Sequence, residues 1–530
     1  MSTHGKTAKG DTVTQSQLTT DEQLPSGVSN SAHVRRQATE GMVWMLANSV
    51  LTKLLSFVQL TLLAYLLTPA DYAPLTMAST FAAFAFLPLK TGLEDILVQR
   101  KNKFHLWAGP AFWMSLTLGM ACMVLMWVLA PLGGWFYQDG SVTVLIVLAS
   151  FSAPLMTLAT VPGAQHNLNL RFRFLSLLGL LQSITMTATT TVLALLSFKA
   201  ASVLIGTMVG QLVYTVGLWQ FADVRIRGNF RMQRWKHFLA DAGYIQATRL
   251  MYAISANTDL LIIGKLSSST ELGIYSYAFN QSLQSTRLFA TNAASVLFPS
   301  LTSLGSDSAR QYAVFAKGMV LIAPILIPLS MMQAMVGEPM FQLLFKPEWW
   351  PGIPYFQLLS LSMAGGGVFM LYNSFFSAVR RNDLLFWNGA LSALWYLLFV
   401  PIAWFCGGVL GVSLGVGIAI VFSVLGAHWL TRYETGSLKD LWSFYGPALL
   451  ISGVCNLLAY ASSSYLQNIY QFGSDGSGAL YRFVVSLMVF TLLYVPLLKF
   501  IAPETWRQFS SRSRSILIGL FGRRQRGLGS

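Results

Sequence analysis

Apolar runs of about 20 residues, each closed by a short polar stretch, follow one another along nearly the whole chain. That length is what an α-helix needs to cross a hydrocarbon layer of roughly 30 Å. The runs begin near Gly41, Ala73, Trp107, Val142, Phe174, Ala201, Phe238, Gly273, Phe315, Ile353, Leu384, Gly408, Tyr445 and Phe483. The pattern predicts an all-α polytopic membrane protein of about fourteen transmembrane helices. One stretch, Leu62 to Lys101, is matched again about 200 positions on. That shift sets Leu62, Leu63, Leu66, Asp71, Ala73 and Ala78 against Ile262, Ile263, Leu266, Glu271, Gly273 and Ala278. Two apolar runs joined by an acidic turn form a membrane hairpin, and its recurrence predicts two six-helix lobes, 41–222 and 238–430, in pseudo-twofold arrangement. A basic linker, 223–237, joins them, and two further helices occupy 431–502.

The loops alternate in charge. One set holds Lys6, Lys9, Arg35 and Arg36; Arg100, Lys101 and Lys103; Arg171 and Arg173; and Arg225, Arg227, Arg231, Arg234 and Lys236. It continues with Arg310 and Lys317, Arg380 and Arg381, Arg432 and Lys439, and the cations from Arg507 to Arg526. The other set holds only Lys199, Lys265, Lys346 and Arg482. Because Lys and Arg gather in cytoplasmic loops, this predicts both termini inside and an even number of crossings. Residues 1–40, rich in Ser, Thr and Gly and without an apolar signal region, then read as a disordered cytoplasmic tail, and 503–530 as a basic one. Trp135, Phe136, Tyr137, Trp349 and Trp350 fall at the charge-poor ends, where aromatic rings favour the membrane interface.

Composition agrees. Of 530 residues 54% are hydrophobic and only 10% charged, where a soluble protein carries roughly 25% charged residues. The net charge of +15 follows from the basic loops and does not imply nucleic acid. Cys122, Cys406 and Cys455 lie in apolar runs with no metal or disulfide spacing, and the six histidines are scattered over tails and interfaces. Gly365, Gly366 and Gly367 have no Lys-Ser/Thr behind them, so helix packing or a kink is expected rather than a nucleotide loop. No Walker, HExxH, GxSxG or kinase motif occurs, which argues against an ATP-driven pump and against an enzyme with a cofactor or metal. Secondary transport between two rocking halves fits the duplicated bundle, with a membrane-embedded glycosyltransferase as the competing class.

Several stretches in order resemble the polysaccharide-transporter branch of the multidrug/oligosaccharidyl-lipid/polysaccharide exporter superfamily, the O-antigen and exopolysaccharide flippases. They are AYLLTPADYAPLTMA (Ala64 to Ala78), GLEDILVQRK (Gly92 to Lys101), HNLNLRFRFLSLL (His166 to Leu178), NTDLLIIGKLSSSTELGIYSYAF (Asn257 to Phe279), SVLFPSLTSL (Ser295 to Leu304) and EWWPGIPYFQLLSL (Glu348 to Leu361). The likeness runs from about Gly41 to Leu430 and is greatest to exporters of acidic or branched exopolysaccharide units. It implies a cavity lined by the first, second, seventh and eighth helices. It also implies an oligosaccharide repeat unit on undecaprenyl diphosphate, moved from the inner to the outer leaflet of the bacterial plasma membrane. The protein is then a monomer, working beside a polysaccharide polymerase and chain-length or export proteins. A drug/cation antiporter of the same superfamily would need a cavity dominated by carboxylates, and a non-transporting scaffold would need no polar interior.

On those four helices lie Lys53, Lys90, Arg249 and Arg287. Buried charge at membrane depth costs at least about 2.5 kcal/mol each, so these cations are expected to face water or a partner. Shifted by 200, Arg249 falls one turn from Lys53 and Arg287 three residues from Lys90, which gives the lobes matching cationic stripes. A cavity of this kind suits a diphosphate; local pairing, such as Lys90 with Glu94, is the alternative. Asp259 is the candidate to take a coupling proton or Na+, unless it pairs with Lys265. Asn48, Ser49, Gln59, Asn257, Gln281, Gln284 and Ser285 offer groups for sugars or for bonds between helices.

Overall fold

A computed structural model describes residues 48–89, 93–99, 104–224, 242–305, 307–434, 440–470 and 476–501, with Pro503, Trp506, Arg507 and Ser510 beyond. These residues form helices and connecting turns, with no strand among them. The N-terminal group is α1 (Asn48–Leu66), α2 (Pro69–Ala85), α3 (Leu93–Gln99), α4 (Phe104–Tyr137), α5 (Gly140–Ser150), α6 (Ser152–Leu158), α7 (Thr160–Leu168), α8 (Phe172–Leu195) and α9 (Lys199–Gln220). The C-terminal group is α10 (Ala242–Leu266), α11 (Ser269–Thr302), α12 (Ser308–Leu344), α13 (Ile353–Ala378) and α14 (Asn382–Thr431), with α15 (Asp440–Tyr470) and α16 (Gly476–Ile501) packed against α12. From α2 onward, the described starts fall within about two turns of those expected from the apolar runs.

Ten described runs are long and apolar enough to cross a membrane. One of them, α14, is two arms. Gly407 and Gly408 leave helical geometry, and Gly408, at φ 56° and ψ −139°, holds a backbone conformation suited to glycine. The arms run back to back: Ser423 donates to Ser392 at 3.1 Å, and Phe399 and Phe422 have ring centroids 4.9 Å apart. The run Gly140–Leu168 is segmented at Phe151 and Ala159, three residues before Pro154 and Pro162, whose rings cannot accept a regular preceding turn.

The duplication is visible in the turns. Thr68 caps α2 by accepting from the Asp71 amide, and Ser268, 200 positions on, caps α11 by accepting from the Glu271 amide in a reciprocal capping box. The end of the bundle that carries both turns is called the turn end. Lys199, Lys265 and Lys346 lie there, whereas Arg171, Arg173, Arg310, Arg380, Arg381 and Arg432 lie at helix ends on the opposite, basic side. The charge alternation of the sequence is thus a separation in space. Arg482, expected in a turn-end loop, sits inside α16 and binds Glu338 of α12 at 3.0 Å.

Glycines set the closest approaches. A Cβ at Gly365 would meet Ile420 at 2.6 Å and one at Gly367 would meet Thr286 at 2.9 Å, so these two let α13 pack on α14 and α11. Gly366 has open space, and α13 runs unbroken through all three.

Candidate functional site

The two lobes meet at the turn end along α2 and α11. Thr76 donates to Ser276 at 2.9 Å, a buried bond between positions 200 apart, and so marks the local pseudo-twofold axis. Beside it Gly273 faces Pro69; a Cβ there would lie 1.9 Å from the Pro69 carbonyl oxygen. Only glycine permits that approach, which is why the acid-small pattern of the first hairpin has Ala73 and the second Gly273.

Aromatic packing completes the seal. Trp349, 1% exposed, donates from Nε1 to the Ala64 carbonyl at 2.9 Å, and its ring centroid lies 4.5 Å from that of Tyr277 and 6.2 Å from that of Tyr72. The sequence placed Trp349 at the membrane interface. It is instead the wedge between the lobes, because the turn-end loop after α12 folds inward over α1; Trp135 does face outward. The cations of the charge-poor side are part of the same seal. Lys346 donates to the Tyr65 carbonyl at 2.7 Å and Lys265 to the Phe136 carbonyl at 2.6 Å, both between lobes, while Lys199 binds Asp71 at 3.0 Å within the N-lobe. Lys265 is therefore not the partner of Asp259.

Toward the basic side the walls carry the cations. At about 1.5 Å per residue, Lys53 lies ~20 Å along α1 from its turn end, Arg249 ~26 Å along α10 and Arg287 ~27 Å along α11. Arg249 and Arg287 are thus level in the C-lobe. Lys53, from the other lobe, lies within charge-interaction range of Arg287 across the boundary. Lys53 and Arg249 are half-buried, and Arg287 is exposed on the wall of a C-lobe cavity. Lys90 lies outside the described residues. Its suggested partner Glu94 accepts from Asn167 at 2.6 Å.

The polar candidates divide. Asp259 is 1% exposed; its Oδ2 accepts from Tyr275 at 2.7 Å, and its Oδ1 has no hydrogen-bond partner among the described residues. Gln59 accepts from Thr187 at 3.4 Å and so joins α1 to α8. Asn257 bonds back to Ala253 at 2.8 Å on its own helix. Gln281, buried, donates to Tyr277 at 3.4 Å, and both Gln281 and Gln284 have buried side-chain oxygens without a partner among the described residues. Ser285 donates to Gln333, which also ties Ser282 and Ser360 at 3.0 Å each. Asn48 and Ser49 line a separate N-lobe pocket of about 210 Å³ with Asn167 and Ser176.

Sequence reasoning missed Gln333, whose spacing carries no motif, and the Tyr72–Tyr277–Trp349 cluster, whose members are far apart in the chain. It also spread the histidines over surfaces, whereas His166 and His428 are each 1% exposed, bound to the Leu218 carbonyl and the Tyr372 hydroxyl. Among the described residues no three His, Cys, Asp or Glu side chains are grouped to hold a metal.

Comparison with known proteins accords with this geometry. The profile of a family described as polysaccharide biosynthesis protein matches residues 62–354, more than half the chain. The chain is 22% identical over 498 residues to the teichuronic acid biosynthesis protein TuaB of Bacillus subtilis (strain 168), covering 91% of this chain and 99% of that protein. It is 22% identical over 440 residues to the lipopolysaccharide biosynthesis protein WzxC of Escherichia coli (strain K12), covering 79% and 87%. With the succinoglycan biosynthesis transport protein ExoT of Rhizobium meliloti (strain 1021) it shares 20% identity, over 87% of this chain and 93% of that one. Its fold is similar to that of the lipid II flippase MurJ in an inward closed conformation, with a TM-score of 0.69 and 15% identity over 87% of this chain and 99% of that one. An inward-facing multidrug resistance MATE family transporter of the MOP superfamily gives a TM-score of 0.56 and 13% identity over 74% and 94%. A multi-pass helical chain with duplicated hairpins, whose sequence matches that profile over more than half its length, belongs to the polysaccharide biosynthesis protein family.

Proposed function

We propose that the protein carries oligosaccharide repeat units, linked to undecaprenyl diphosphate, from the cytoplasmic to the outer leaflet of the bacterial plasma membrane. The observation that carries this reading is the gathering of Lys53, Arg249 and Arg287 at similar depth on helices of the two lobes, with Lys53 in charge-interaction range of Arg287, below a turn end that is packed shut. Two like charges within range of each other repel, and a diphosphate between them turns that repulsion into attraction. Arg supplies a planar fork for phosphate oxygens and Lys a point charge, both strengthened in a space screened from bulk water. Lys90, from the sequence pattern, belongs to the same set.

In this reading the turn end faces outward, and the basic side, with both termini, faces the cytoplasm, following the charge separation. The lobes then rock against each other: the α2–α11 seal opens, the headgroup leaves on the far side, and the lipid tail stays in the bilayer. Asp259, buried with one oxygen bound and the other without a partner among the described residues, is the group proposed to take the coupling proton or Na+. The polysaccharide polymerase and chain-length proteins act on the released unit.

The test is export in cells lacking the gene and complemented by variants. Loss of the gene should abolish a surface polysaccharide and leave its lipid-linked unit facing the cytoplasm. Arg287→Ala and Arg249→Ala should cut export at least about tenfold at normal protein abundance, as expected when a charge-assisted bond worth roughly 1.5–3 kcal/mol is lost. Lys at either position should restore part of it. Export unchanged in Lys53→Ala, Arg249→Ala and Arg287→Ala alike would overturn the cationic cleft, and polysaccharide unaffected by gene loss with sensitivity to cationic dyes raised would favour drug efflux.

A further inference from the structure

Arg287 belongs to two surfaces. It lies within charge-interaction range of Lys53 on the other lobe, and it also lines a cavity of about 300 Å³ whose remaining walls come from α10, α11, α13 and both arms of α14, all in the C-lobe. The cavity therefore runs sideways from the cationic boundary into one lobe. Its volume is at the low end of small-molecule sites, roughly 300–1,000 Å³, which suits a sugar ring rather than a whole oligosaccharide.

Its wall is mainly apolar, and the aromatic rings and few polar groups in it are of the kinds a sugar ring uses. Tyr252 and Tyr396 provide aromatic surface for the C–H face of a ring, and Asn373 and Ser392 add an amide and a hydroxyl to the same lining. Asn373 Oδ1 is fixed by two donors, Tyr252 at 2.7 Å and Asn388 at 2.7 Å, so the donors of its own amide remain for a guest. Ser392 adds its hydroxyl to the lining, 3.1 Å from that of Ser423. Apart from Arg287, the lining residues carry no charge, which suits a neutral ring and excludes a cationic guest beside the guanidinium.

We infer that this C-lobe cavity is the sugar subsite, seating the first, neutral hexose of the repeat unit while Arg287 at its wall holds the diphosphate to which that sugar is joined. The inference rests on the flippase reading above. It also gives Gly366 a use: an added Cβ there meets only Met363 Sδ at 4.0 Å, so a side chain at this position grows into the cavity without displacing a helix, unlike one at Gly365 or Gly367.

The experiment measures binding to the purified full-length chain in lipid nanodiscs. The probes are undecaprenyl diphosphate alone and undecaprenyl diphosphate carrying glucose or galactose. Wild type should prefer one of the sugar-bearing lipids by about tenfold, the gain expected from one or two net hydrogen bonds. Gly366→Leu should erase that preference and leave affinity for the bare diphosphate lipid unchanged; Gly366→Ala should fall between. Equal binding of bare and sugar-bearing lipids by wild type, or a preference that survives Gly366→Leu, overturns the sugar subsite while the flippase reading stands. No binding of any probe by wild type overturns both. Normal binding of the bare lipid by the Leu variant serves as the folding control.

Discussion

The seal at the turn end can be opened with one methyl group. In Gly273→Ala the new carbon would lie 1.9 Å from the Pro69 carbonyl oxygen and 2.6 Å from its carbonyl carbon. Neither atom can swing aside, because both belong to the backbone at the start of a capped helix. Relief requires the two hairpins to part by about 1.5 Å, and overpacking of this kind costs about 1–3 kcal/mol. Only the closed arrangement feels that cost, since Ala within α11 is at least as good a helix former as Gly in any state. Taking ~2 kcal/mol, the closed-to-open ratio falls about 30-fold, so a ratio of roughly 100:1 becomes roughly 3:1. Spin labels at Ser141→Cys and Thr270→Cys, exposed on opposite lobes at this end, read the change by pulsed distance measurement once the exposed Cys406 is replaced by Ser. A second, longer distance should appear in Gly273→Ala at about a quarter of the population. An unchanged distance distribution in a well-folded variant would show that the α2–α11 contact does not separate, and alternating access about it would be wrong.

Trp349→Ala should act in the same direction and more strongly, since truncating a fully buried Trp costs about 3–5 kcal/mol and also frees the Ala64 carbonyl. The same spin pair should show a majority open form, with Trp349→Phe in between; a lowered unfolding temperature with no new distance would make Trp349 a core residue of one lobe and not a wedge. Reporter fusions test orientation: an enzyme active only outside the cytoplasm should be active after Gly140 and inactive after Arg380, and the reverse would invert the direction of transport.

Much of this architecture was legible in the chain because a membrane removes alternatives. Each backbone group must be bonded within its own segment, so apolar length reports a helix directly, and the loop cations report which ends lie together. The 200-residue repeat was readable for a related reason: the acidic turns at Asp71 and Glu271 are local signals, and the structure shows each acid at a helix cap made by Thr68 or Ser268. The double nature of α14 was likewise announced by its start near Gly408, a residue in a conformation that suits glycine.

What the tertiary structure alone decided is who faces whom. Charge and polarity along a helix state that a side chain needs a partner and leave open whether that partner is a lipid headgroup, a neighbouring helix or the other lobe. Hence Lys265 went to the Phe136 carbonyl and not to Asp259, and Gln59 went to Thr187. Trp349, which on a single helix end looks like an interfacial anchor, became the wedge of the seal because the pseudo-twofold brings Tyr72 and Tyr277 to it from both hairpins. Gly365, Gly366 and Gly367 are indistinguishable in sequence, and only the positions of α11 and α14 make the outer two close contacts and leave open cavity beside the middle one. In a membrane the solvent dictates the helices, but it is almost indifferent to their pairing, so the site is set by contacts between segments far apart in the chain.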